Sequence, residues 1–368
     1  MRVLMTADPI GGVWNYTLEL CGALAKQGVQ VCLATLGAEP SGVQQSQLDR
    51  LRNVVCIPSA YRLEWMSDAW SDLARAAEWL LDVEHVLRPD IVHLNHLVHA
   101  DLPWHAPVLV TGHSCVLSWW SAVRGGEPPP QWNTYRQRVR QSLQSANWVI
   151  APTRAMLFEL DALYGPLRNT TVVYNARDQR MFSPGRKERF VLSAGRVWDE
   201  AKNIAALATV AQSVSAPVVV AGPVTGPEGG TAVAPGVWLL GNLDPPELAS
   251  WYSRAAIYAL PARYEPFGLT VLEAALSGCA LVLGDIESLR EIWGPAARYV
   301  DPEDTDALRD TLNELLADDF LRSNLAARAM ARARQFSPEA LGNNYLTLYR
   351  SAERGAPRAA RAASARPN

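Results

Sequence analysis

The apolar positions of this chain fall into short β-rich runs separated by stretches of helical periodicity. In the first half the runs are "RVLMT" (2–6), "VQVCLAT" (29–35), "VVCIP" (54–58), "DIVHLN" (90–95), "PVLVT" (107–111), "WVIAP" (148–152) and "TVVYN" (171–175). Helical patterns lie between them, among them 13–26, the amphipathic 68–87 and 132–145. The polar segment "ARDQRMFSPGRKER" (176–189) interrupts the alternation and reads as a linker. A second series follows: "FVLSAG" (190–195), "PVVVAG" (217–222), "VWLLG" (237–241), "IYALP" (257–261), "ALVLG" (280–284) and "RYV" (298–300). The Gly/Pro-rich loop "GPVTGPEGGTAVAPG" within this series reads as mobile. Strands alternating with helices predict an α/β fold with doubly wound parallel sheets. Two series around one linker predict two Rossmann-like domains, 1–180 and 188–336, facing each other across a cleft. A last helix, 337–352, comes after the second sheet is complete, and an Ala/Arg-rich tail, 353–368, is expected to be disordered.

Composition narrows the partners more than the fold. At 368 residues the chain can carry two hydrophobic cores. A net charge of −3 gives no global basic field for nucleic acid or anionic lipid. The cysteines Cys21, Cys32, Cys56, Cys115 and Cys279 are scattered without a C-x-x-C, which reads as reduced core thiols. The first residues enter a strand with no secretory pattern, and no run has the length of a membrane span. The expectation is cytoplasmic, with peripheral membrane contact left open. Of 13 tryptophans, most lie at or before Trp148.

In open parallel sheets ligands bind beyond the carboxyl ends of strands, so candidate chemistry is sought there. Gly11 and Gly12 follow the first strand and precede a helix, where backbone N–H groups can face an anion. A Gly-Gly turn explains them equally well. They are not G-x-G-x-x-G, and no acid ends the next strand, which disfavours a nicotinamide cofactor. After strand 190–195 come Arg196 and Lys202, two cations suited to a diphosphate, before a helix with Asn203 as its expected cap. A solvated loop pair is the alternative. In "YEPFGLTVLEAALSG" (264–278), Pro266 holds Glu265 extended, Gly268 permits close approach of backbone, and a helix starts near Leu269 or Thr270 and ends at Gly278. Glu273 is expected in its first turn. Thr270-x-x-Glu273 fits a capping box, which would account for Glu273 but not for Glu265 or the Phe-Gly between them. Two carboxylates flanking backbone donors could also grip a polyhydroxylated, phosphorylated ligand.

This segment resembles the Glu-x7-Glu motif of retaining glycosyltransferases with the GT-B fold, in particular glycosyltransferase family 4. The resemblance extends over the opening Gly-Gly helix, "GHS" (112–114), "APTRAM" (151–156), "YNARD" (174–178), "AGRVWDEAKN" (194–203) and "SLREIW" (288–293). It implies that Arg196 and Lys202 neutralise the donor diphosphate and that Glu273 binds the ribose hydroxyls. It implies that Glu265 contacts the donor sugar, with Phe267, Gly268, Leu269 and Thr270 offering backbone contacts. Gly11 and Gly12 would approach the phosphate, His113 would contact the transferred sugar, and Gly241, Asn242 and Leu243 would read the base. It also implies that the final helix crosses back onto the N-terminal domain. One departure is visible: Asn175-Ala176 stands where the family has Asn-Gly, which puts the turn entering the linker in question.

Breaking a sugar–phosphate bond requires stabilising a diphosphate leaving group. The one Asp-x-Asp, Asp304-x-Asp306, opens a helix and reads as a cap. The two cations and helix N-termini would then do a metal's work, so no metal and no cofactor are expected. The resemblance implies retention by front-face attack, with His113 and Glu265 orienting and stabilising. Trp104, Trp119, Trp120 and Trp132 are candidates to stack on an acceptor, with core packing as the equal alternative. The acceptor could be a small molecule, a glycan or a lipid-linked species, and the donor UDP-glucose first or GDP-mannose second. A sugar-nucleotide epimerase and an idle sugar-nucleotide or glycan-binding module remain the alternatives.

Overall fold

The computed structural model describes residues 1–226 and 229–355. The first sheet is built from β1 (Arg2–Ala7), β2 (Gln30–Thr35), β3 (Val54–Pro58), β4 (Ile91–Leu94), β5 (Val108–Thr111), β6 (Trp148–Ala151) and β7 (Thr170–Val172). The second comprises β8 (Glu188–Ala194), β9 (Val218–Ala221), β10 (Trp238–Gly241), β11 (Ala255–Leu260), β12 (Ala280–Gly284) and β13 (Arg298–Val300). All pairs in both sheets are parallel. Their orders are β3-β2-β1-β4-β5-β6-β7 and β10-β9-β8-β11-β12-β13. Both therefore follow the Rossmann order, which reverses direction between β1 and β4 in one sheet and between β8 and β11 in the other.

The inner strands of both sheets are covered on both faces, and several bury every residue. Those of β4, β5, β9, β11 and β12 are buried throughout, which is why they read as continuous apolar runs. In the second unit Val191, Leu207, Ile257, Val282 and Leu312 belong to one core. Close approaches fix where helices can follow strands. A Cβ on Gly222 would lie 1.8 Å from the Gly195 carbonyl oxygen, so the ends of β8 and β9 meet only because Gly222 has none.

The chain divides into two compact units. One holds residues 1–120 and 126–175 and regains the chain at Pro338; the other holds 121–125 and 176–337. The last helix, Pro338–Gly355, belongs to the first unit. Its Tyr349 hydroxyl meets His93 Nδ1 at 2.8 Å and its Tyr345 hydroxyl meets Thr111 Oγ1 at 3.0 Å. Gly342 packs so closely on Ala23 that a Cβ there would come within 2.8 Å of it. The helix also takes in residues 353–355, which the sequence assigned to a disordered tail; the remaining tail, 356–368, lies outside the described residues, as do Pro227 and Glu228 of the Gly/Pro-rich loop.

Segment 176–189 is not the free linker its polarity suggested. Ala176, Arg177 and Phe182 are buried, and the Lys187 ammonium donates to the carbonyls of Tyr252 (3.2 Å) and Ser277 (2.7 Å), which end two helices. Its charges fasten it to the second unit. Ala176 takes no left-handed conformation, so the missing glycine at this position causes no strain.

Candidate functional site

The second unit brings four of the expected residues to the carboxyl ends of β8 and β11, the pair of strands between which its order reverses. Lys202, on a short 3-10 turn after β8, donates to Glu265 Oε2 at 2.6 Å, and both side chains are 14% exposed. The pair spans the crevice where this topology binds ligands. Glu265 Oε1 accepts from the Gly268 amide at 3.0 Å and the Phe267 amide at 3.5 Å. The carboxylate thus covers the start of the helix Leu269–Leu276. Gly268 makes that turn with φ 88°, where a Cβ would press on Val271 at 2.9 Å. Ser288, from "SLREIW", donates to the Glu265 carbonyl at 2.6 Å and pins the loop from behind. Arg196 donates to Asp199 at 2.6 Å and lies over the Trp198 ring, keeping about a third of its side chain exposed (35%).

Three local expectations change. Asn203 stands at the start of the helix Ile204–Val210 but does not cap it; its amide donates to the Pro261 and Pro302 carbonyls and ties the ends of β11 and β13 to this loop. Glu273 lies in the second turn of its helix, because the N-cap is Gly268. The capping box with Thr270 is accordingly absent: the Thr270 hydroxyl accepts instead from the Tyr258 hydroxyl at 2.8 Å. Glu273, 5% exposed, forms an ion pair with Arg177 at 2.7 Å. Burial pushes its carboxyl above the usual range, while Arg177 and the Tyr252 hydroxyl pull it back. Phe267 is buried edge-on against Phe336, so only its backbone is available to a ligand. Gly241, with φ 70°, opens the Asn242–Leu243 loop, which leads into a helix capped by Asp244. Asp304 caps its helix through the Ala307 amide at 2.8 Å, and Asp306 pairs with Arg309 at 2.6 Å, as the cap reading expected.

The first unit assembles a different set at its own point of reversal. Gly11, with φ 90°, precedes the helix Gly12–Ala25; both glycines are exposed and no side chain caps the helix. Asn95, after β4, donates from its side chain to the Thr6 carbonyl at 2.8 Å, which turns its Oδ1 toward His113 Nε2 at 3.0 Å. His113 therefore carries its hydrogen on Nε2 and presents Nδ1 as an acceptor. Burial lowers its pKa to about 3, so it stays neutral. Against it lies Tyr16, ring centroids 4.4 Å apart. His99 Nε2 donates to the Leu73 carbonyl at 2.9 Å, which leaves Nδ1 to accept from His96 Nε2 at 3.3 Å. His99 sits at φ 80°, a strained conformation for a non-glycine. Burial holds it down at about 4, and His96 well below its ordinary value. Glu64, 6% exposed, accepts from the Leu97 amide at 2.9 Å. Sequence reasoning passed over Tyr16, Glu64, Asn95, His96 and His99, although Asn95, His96 and His99 follow a strand directly and carried that signal.

The four tryptophans are partly buried. Trp104 donates to the His99 carbonyl at 2.7 Å, and Trp132 packs edge-on against Tyr135. Trp119 and Trp120 lie on the helix Val116–Arg124. Among the described residues no cluster of three or more metal-ligating side chains occurs and no helix is long and apolar enough to cross a membrane.

Two Rossmann-ordered units, with paired charges at the reversal point of the second, have the architecture of the GT-B fold. Solved structures share the fold: the sucrose-phosphate synthase of Thermosynechococcus elongatus covers 95% of this chain and 98% of its own at TM-score 0.77 and 20% identity. The Anabaena protein Alr3699/HepE in complex with UDP-glucose covers 95% and 100% at TM-score 0.73 and 17% identity. Residues 10–180 match the family model Glycosyltransferase Family 4, and residues 188–318 match Glycosyl transferases group 1. The chain is a family-4-like glycosyltransferase and an enzyme of that class. Among its relatives, a D-inositol 3-phosphate glycosyltransferase of Xylanimonas cellulosilytica is 28% identical over 94% of this chain and 93% of its own length. The O-antigen chain mannosyltransferase B of Escherichia coli is 35% identical, but over 30% of this chain and 29% of its own length.

Proposed function

We propose that this enzyme transfers a hexose from a nucleotide-sugar to a hydroxyl group, with retention of anomeric configuration and without a metal. The observation that carries the reading is the Lys202–Glu265 pair across the reversal point of the second sheet, beside the exposed edge of Arg196 and the amides of Phe267 and Gly268. A diphosphate entering there would draw Lys202 from Glu265 and take up its charge together with Arg196, the preorganised stabilisation a phosphate leaving group requires. Glu265, released, would accept hydroxyl hydrogens from the sugar, and Glu273 those of the ribose. Neutral at working pH and hydrogen-bonded through Nε2, His113 is a poor general base. It serves as a hydrogen-bonding partner, which supports front-face attack with the leaving phosphate accepting the acceptor's proton. UDP-glucose is the first donor choice, in keeping with the ligand named for the Anabaena structure, and GDP-mannose the second, in keeping with the mannosyltransferase among the relatives.

The test is nucleotide release from UDP-glucose, UDP-N-acetylglucosamine, UDP-galactose and GDP-mannose in EDTA, with cell extract as acceptor source, beside Glu265→Gln. Release from one donor, abolished in the variant, is expected. Turnover that needs an added divalent ion, or that survives in Glu265→Gln, overturns the metal-independent reading or the role of Glu265.

A further inference from the structure

Glu273 lies in an apolar setting. Val271, Leu272, Ala274 and Ala275 beside it on the helix are fully buried, and a lone carboxylate placed there would take up a proton. Arg177 reaches it from a part of the chain distant in sequence, directly after the point at which the chain enters the second unit. Its Nε is 2.7 Å from Glu273 Oε1, and the two side chains are only 7% and 6% exposed. The guanidinium lies over the Phe182 ring, 5.2 Å from its centroid, and Phe182 packs edge-on against Tyr252. Ala176, one residue earlier, is 1% exposed, so the backbone that delivers the arginine is packed as well. The other titratable groups facing Glu273 are Tyr252, from the helix Pro245–Arg254, and Tyr258, from β11. Burial pushes both phenols up, so they remain neutral. Arg177 is the cation that Glu273 meets among these groups.

We infer that Arg177 is a positioning residue for nucleotide binding: it keeps Glu273 ionised and aimed, so that this carboxylate accepts the ribose hydroxyls of a nucleoside diphosphate. The inference rests on the proposed donor site and goes beyond it, since it gives Arg177, buried against Glu273 and outside the Gly-rich and Glu-x7-Glu motifs, a role through that carboxylate. Because burial raises the Glu273 carboxyl and Arg177 opposes that rise, removing the arginine makes ribose recognition depend on pH.

The experiment titrates UDP, GDP and their 2′-deoxy forms calorimetrically into the full chain at pH 6 and pH 8.5. Wild type, Glu273→Gln, Arg177→Met, Arg177→Lys and the double variant Glu273→Gln/Arg177→Met are compared. Wild type should prefer the ribonucleotide by about tenfold at both pH values, the size of a hydrogen bond to a charged group. Glu273→Gln should lose that preference at both. Arg177→Met should lose it at pH 6 and regain part of it at pH 8.5, Arg177→Lys should keep it, and the double variant should match Glu273→Gln. The double variant also removes both buried charges together, so it is expected to fold even where Arg177→Met does not. A ribose preference in Arg177→Met equal to wild type at both pH values overturns the inference, as does weaker binding with the preference intact. If Arg177→Met does not fold, loss of the preference in Arg177→Lys overturns it. Full preference in Glu273→Gln, or none in wild type, instead sinks the assignment of Glu273 to the ribose.

Discussion

At the carboxyl end of the first sheet Asn95, His96, His99 and His113 are joined by neutral hydrogen bonds, whereas at the corresponding end of the second Lys202, Glu265, Arg177 and Glu273 are joined as ions. The strand order is shared, so topology is not the source of the difference. All six histidines of the chain belong to the first unit and none to the second. One end offers uncharged donors and acceptors of the kind that fit hydroxyl groups. The other stores opposite charges a phosphate can separate. A fold supplies two equivalent crevices, and side-chain chemistry alone assigns them different work.

Acid should break the contrast most severely, by charging the neutral end. His93 and His113 are held at about 3 and His99 at about 4 by burial. In the unfolded chain each titrates near 6.5. Their contribution is therefore complete above about pH 6.5 and is lost as pH falls toward 4, at about 1.4 kcal/mol per pH unit per histidine. Urea unfolding at pH 7.5, 6 and 5 should show the first unit, which holds most of the tryptophans, giving way before the histidine-free second. Equal midpoints across that range would contradict the burial of these rings.

Lys202→Ala breaks the charged end. It should lower kcat/KM for the donor about 10²–10³-fold, the cost of removing one preorganised charge from a transition state. Donor turnover with near-normal kcat/KM would remove Lys202 from the chemistry. Gly222→Ala attacks the strand junction beneath that end, where the added Cβ would strike the Gly195 carbonyl. A loss of about 3 kcal/mol in chemical denaturation is expected. At the small end, Asp304→Ala should cost about 1 kcal/mol as a lost helix cap and leave donor turnover unchanged, with or without EDTA. A fall in turnover would make this aspartate more than a cap.

The two sheets were legible because strands buried on both faces leave continuous apolar runs, and the residues just beyond those runs could be read as candidates. Arg196, Lys202, Glu265 and Gly268 were found that way. The Arg177–Glu273 pair was not, because the two residues are remote in sequence and nothing local marks Arg177 as buried. Local rules also misled: Thr270 and Glu273 have capping-box spacing, yet Gly268, at positive φ, is the N-cap and the helix starts at Leu269, which leaves both past the cap. Asn203 looks like a cap and is a tether, since two carbonyls from strand ends compete successfully for its amide. The neutral state of the histidines depends on burial by distant segments, which no one-letter pattern records.

The clasp of Gly342 on Ala23, with Tyr345 and Tyr349 bonded into the first sheet, has a consequence for biosynthesis. The unit begun first on the ribosome is finished last. Its sheet emerges early but lacks the helix Pro338–Gly355 until the entire second unit has been made, so His93 and Thr111 wait for their tyrosines through most of translation. The second unit, nearly continuous in sequence, needs no such late segment to complete its core. Vectorial synthesis elsewhere lets the amino-terminal domain fold first; here that unit cannot close until the helix Pro338–Gly355 has been made. A released chain ending before residue 338 should resist protease in its second half and yield in its first.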